Sequence, residues 1–126
     1  MRRILDVHQE AVTLACARGL DIFELLPSAY ISQNEIDAAK TIKYEYLNTQ
    51  GQPKFGWPAT PALAKAYLDQ RERTKGLSSS QISAARKAID SGDKQAMSKV
   101  AGELSGTGTD ASKVTKLADT LKELAK

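Results

Sequence analysis

Helix boundaries punctuate the second half of the chain at short intervals, which leaves room for little except short helices. Thr60-Pro61 supplies a hydroxyl N-cap followed by a proline at the first helical position. Leu63, Ala66, Tyr67 and Gln70 then fall on one side. Arg71, Arg73 and Lys75 crowd the last turn, where cations suit the helix dipole, and Gly76 stops it. Ser78 and Gln81 have the spacing of a capping box. Ile82, Ala85 and Ile89 line the next helix, and Gly92 ends it. Asp93 caps a further helix carrying Met97, Val100, Ala101 and Leu104. The run 105–109 reads as a flexible loop. A last helix begins near Asp110 and carries Val114, Leu117, Leu121 and Leu124.

The first half is less regular. Ile4, Val7, Ala11 and Leu14, widened by Leu5, Val12 and Cys16, recur at helical spacing and predict an amphipathic helix over 2–18. The apolar segment 20–26 reads as one helical turn destined for the core or for an interface. Ser32 and Glu35 form another capping-box pair, so a helix starts at about Gln33. Beyond it, Tyr44 and Tyr46 are two apart, and so are Phe55 and Trp57. Folding back at Gln50-Gly51 sets Tyr44 opposite Trp57 and Tyr46 opposite Phe55, as in an aromatic-faced β-hairpin. Pro53 would make its second strand a sheet edge. The expected fold is therefore α+β and predominantly helical, with five to six short helices and one β-hairpin near 42–57. The expected division is 1–76 and a three-helix part, 77–126, hinged at 76–80 or packed onto the first as one domain.

At 126 residues the chain suits one domain, or a small domain with an appendage. No run approaches the eighteen apolar residues of a membrane span, so no membrane association is expected. Asp6, His8, Gln9 and Glu10 interrupt what would otherwise begin like a signal peptide. The lone Cys16 excludes an internal disulfide and makes a reducing cytoplasm the expected setting.

Catalysis has little to stand on. His8 is the single histidine, and zinc would need at least two ligands beyond His8 and Cys16. No serine or cysteine has a recognisable base partner. Asp21 and Glu24 are simplest as helix-start acids. Gly106-Thr107-Gly108-Thr109 lacks the lysine and preceding strand of a P-loop. No cofactor or metal is expected.

Charge is more informative. The net charge is +3, unevenly spread: residues 38–77 hold seven bases and three acids, whereas 1–37 hold three bases and six acids. The basic excess centres on the expected hairpin and the helix after it, which suits an anionic partner. Lys40, Lys43, Lys54, Lys65, Arg71 and Arg73 would meet phosphates, and aromatics on a sheet can stack on bases. Ser112, Lys113, Thr115 and Lys116 open the last helix as a helix-turn-helix reader would, so Lys113 and Lys116 join the candidate nucleic-acid contacts.

One stretch resembles a known family. Lys43-Tyr44-Glu45-Tyr46, Gly51 in the turn, Trp57, and Thr60-Pro61-Ala62 opening a helix follow the order of the C-terminal DNA-binding module of histone-like nucleoid-structuring (H-NS type) proteins. The resemblance covers 43–70 and implies a small DNA-binding protein. The family's arginine-containing minor-groove loop is missing, because Trp57 is followed directly by Pro58-Ala59-Thr60-Pro61.

Two functions follow as expectations. The first is a small, basic, non-enzymatic nucleic-acid-binding regulatory or accessory protein, with DNA as the foremost partner. The alternative is a protein-interaction module, an adaptor or inhibitor, or a homodimer, using Ile22, Phe23, Leu25 and Leu26. A small basic nuclease ranks behind both.

Overall fold

The computed structural model describes residues 11–16, 19–43, 56–104 and 111–126, with side chains from Glu24 onward. From Leu25 onward every regular element described is an α-helix: α1 (Gln33–Ala39), α2 (Pro61–Arg73), α3 (Ser79–Ser91), α4 (Lys94–Glu103) and α5 (Ala111–Leu124). The packed body is all-helical, which corrects the α+β expectation. Of the hairpin expected at 42–57, residues 44–55 lie outside the described residues. Its described ends, Ile42, Lys43, Gly56 and Trp57, belong to no strand. The reason at the first end is local. The N–H of Ile42 donates to the Ala39 carbonyl and that of Thr41 to the Ala38 carbonyl, so these donors close α1 instead of feeding a ladder.

Of the helix expected over 2–18, residues 2–10, 17 and 18 lie outside the described residues, and 11–16 are corrected. The backbone of β1 (Ala11–Cys16) pairs antiparallel with that of β2 (Gly19–Glu24), in register from Ala11 opposite Glu24 to Cys16 opposite Gly19. Val12, Leu14 and Cys16 alternate with Ala11, Thr13 and Ala15, so the same letters satisfy a period of two. The segment 20–26 accordingly forms no helical turn, and Leu25 and Leu26 are exposed instead of entering the core.

The helix starts obey local chemistry. The Ser32 and Ser78 hydroxyls each accept from the N–H three residues on, and Glu35 and Gln81 return the bond to the cap N–H. Thr60 accepts from the Leu63 N–H with Pro61 at the first position, and Asp93 accepts from the Gln95 and Ala96 N–H groups. Gly92 ends α3 at φ 65°, in the left-handed region. At the end of α2 that region is occupied by Lys75, at φ 52°, and not by Gly76.

The main core joins α2, α3, α4 and α5 through Leu68, Ile82, Ile89, Met97, Val114, Leu117 and Leu121. It is rich in small residues: Ala64, Ala85, Ala88, Ala101 and Ala118 are all buried in it. A second, smaller patch sets Ala38 of α1 against Leu63 and Ala66 of α2. Small side chains at these positions let helix backbones approach closely.

Candidate functional site

The seam between α1 and α2 gathers most of the long-range polar chemistry. Glu35 sits in the first turn of α1, aimed across at α2 as well as back at its own cap. Its Oε2 accepts from the Ser32 N–H at 2.7 Å and from Arg73 Nη1 at 2.9 Å. Its Oε1 accepts from Gln70 Nε2 at 2.9 Å and from Arg73 Nη2 at 2.8 Å. Partial burial alone would raise the Glu35 pKa. The Arg73, Ser32 and Gln70 hydrogen bonds, with the Arg73 charge, outweigh it and hold the carboxyl at about 2. One residue earlier, Asn34 donates to the buried Asp69 at 2.8 Å. Arg86 of α3 bonds the same Asp69 at 2.7 Å and Glu72 at 2.6 Å.

Beside this lattice lies a pocket of about 150 Å³ lined by Glu35, Ala38, Trp57, Leu63, Ala66, Tyr67 and Gln70. Trp57 is 46% exposed at its edge. Burial pushes the Tyr67 phenol up, so it stays neutral and polar at physiological pH. A carboxylate at about 2 with both oxygens engaged is no general base near neutrality. What the arrangement offers is a small, mainly apolar recess with two aromatic side chains and fixed polar groups, which can receive a single side chain or a small apolar group. Among the described residues no cluster of His, Cys, Asp or Glu could hold a metal ion, and no helix is long and apolar enough to cross a membrane.

The described members of the expected basic set lie at the end of α1 and just after it, on α2 and on α5. Lys40 caps α1 and pairs with Asp37 at 3.9 Å, and Lys65 pairs with Asp90 at 2.6 Å. Arg73 is engaged with Glu35. Arg71 is only 1% exposed and belongs to the interior. Lys43 is exposed, as are Lys113 and Lys116 on α5, and Lys54 lies outside the described residues. Of the expected interaction residues, Ile22 and Phe23 fall in β2, and their side chains are outside the described set. Leu25 is 38% and Leu26 66% exposed, and Tyr30, just ahead of the Ser32 cap, is 89% exposed.

Sequence reading missed Tyr30 and the α1–α2 recess. The Ser32–Glu35 spacing was a sound signal for a helix start. It carried no sign that the same carboxylate would also reach Arg73. Compared with known protein families, curated proteins and solved structures, the chain matches none.

Proposed function

We propose that this chain is a protein-interaction module, an adaptor or inhibitor that presents an apolar surface to another protein. The observation that carries the reading is the exposure of Leu26 and Tyr30, at 66% and 89%, on the segment that leads into α1. Large apolar side chains in water are a recurrent mark of interaction surfaces, and tyrosine is enriched at interface anchors. Leu25 extends the segment, and the recess beside Trp57 offers a place for one partner side chain. The internal ion pairs of Lys40, Lys65 and Arg73 further favour this reading over a phosphate-binding face, because breaking each pair would offset part of any gain.

A nucleic-acid role keeps one specific support. Lys113 and Lys116 are exposed on the first turns of α5, where a helix-turn-helix reader would carry them. One experiment separates the two. The protein is assayed against labelled duplex and single-stranded DNA and RNA at about 50 and 200 mM salt, a range over which several phosphate contacts weaken binding strongly. It is also immobilised beside a Leu26→Asp/Tyr30→Asp variant for recovery of partners from its source cells. The interaction reading expects no salt-sensitive nucleic-acid binding, and a partner retained by the parent chain but lost by the variant. Salt-sensitive binding abolished by Lys113→Glu/Lys116→Glu would replace it with the nucleic-acid reading.

A further inference from the structure

α1 is attached differently from the other helices. Among the described residues it packs on α2 and on no other helix, whereas α2 also packs on α3 and α5, and α4 bridges α3 and α5. Its apolar contact with α2 centres on Ala38, Leu63 and Ala66, with Tyr67 packed against both this patch and the main cluster, and Ile36 of α1 is buried as well. Long-range hydrogen bonds add to it: Arg73 and Gln70 donate to Glu35, and Asn34 donates to Asp69. The recess of about 150 Å³ lies along this seam.

A helix of seven residues does not persist alone in water, because one or two turns cannot offset the cost of nucleation. Docking on α2 and helix formation are therefore a single step for α1, and so are release and melting. We infer that α1 is a releasable strap: it leaves α2 as a unit while α2 to α5 stay folded. Release uncovers Leu63 and Ala66, buried on α2 when the strap is closed, and frees Arg73 from Glu35. The inference does not depend on what the chain binds.

Native-state hydrogen exchange on the full chain tests it. The amides of 36–42, within and just after α1, exchange faster than those of Leu68, Ile89 and Leu117, by about tenfold or more if the strap opens below the global unfolding free energy. Glu35→Gln retains a side chain able to close the capping box but removes the ion pair. It speeds exchange in α1 several-fold while Ile89 and Leu117 stay slower than α1 and protected, which also reports that the variant is folded. Equal rates in α1 and the main core, in the parent chain or in the variant, or no change in α1 would each overturn the strap.

Discussion

Arg73 and Glu35, 38 positions apart in sequence, meet through two hydrogen bonds of 2.9 and 2.8 Å, one to each carboxylate oxygen. Paired bonds of this kind fix orientation as well as distance. They join the first turn of α1 to the last turn of α2, so the two helices share a register that neither could set alone.

The pairing has a pH signature. Glu35 titrates at about 2 in the folded chain against an ordinary 4.5. Its contribution is complete above the ordinary value. It shrinks as pH falls from there towards the folded value, because the unfolded chain takes up the proton first. We expect a loss of about 1–2 kcal/mol from this group across that window, allowing for partial solvent screening. Urea midpoints measured from near neutrality to strong acid should fall less steeply for Glu35→Gln than for the parent chain. Parallel curves would show that the pair adds nothing to stability.

Leu117 of α5 is fully buried in the main core. Leu117→Ala should cost about 2–5 kcal/mol, through lost transfer energy and the cavity left behind. Leu26→Ala, at a side chain 66% exposed, should stay within about 0.5 kcal/mol. Chemical denaturation of the two variants checks the contrast. A Leu26→Ala loss as large as that of Leu117→Ala would place Leu26 inside a core.

Two glycines should fail for opposite reasons. Gly92 has φ 65° and open space where a Cβ would stand, so Gly92→Ala costs about 1–2 kcal/mol by backbone strain alone. Asparagine, which tolerates that region, should recover much of the loss. Gly76 has no such angle. An added Cβ there would sit 3.3 Å from Arg71 Nη1 and from Thr74 Oγ1. Gly76→Asn should therefore be worse than Gly76→Ala, reversing the order at Gly92. Thermal unfolding of the four variants reads both orders at once.

Lys75 supplies the matching case of a side chain where glycine would sit more easily. At φ 52° it occupies the left-handed region that most side chains avoid. Lys75→Gly relieves that strain but adds freedom to the unfolded chain, so we expect a net gain under about 1 kcal/mol. A loss of stability, measured by the same thermal method, would mean that the lysine side chain makes a contact worth more than the strain.

What could be read from the sequence was what neighbouring residues decide among themselves. Ser32 with Glu35, Thr60 with Pro61, Ser78 with Gln81, and Gly92 with Asp93 marked four helix starts and one stop, because a cap is a bond between residues two or three apart. The apolar stripes of α3 and α5 were legible for the same reason. Arg71 was misplaced because its local cue, a cation in a last helical turn, says nothing about the packing that buries it. The 11–16 segment was read as helix because its letters satisfy both periods, and strand pairing with Gly19–Glu24 decides between them. The recess beside Trp57 needed α1 laid on α2, and no pattern within either helix announces that.

The alanines of the core make its tolerance one-sided. Ala64 and Ala85 are completely enclosed, and Ala88, Ala101 and Ala118 nearly so. Where two helices are separated by little more than methyl groups, a larger side chain has no depth to enter and must wedge the backbones apart. Trimming such a position removes little, because there is little to remove. Over long divergence these sites should drift among glycine, alanine and serine while the leucines around them exchange for isoleucine or methionine. Relatives of this chain would then be recognised more reliably by where their small residues fall than by which large ones they keep.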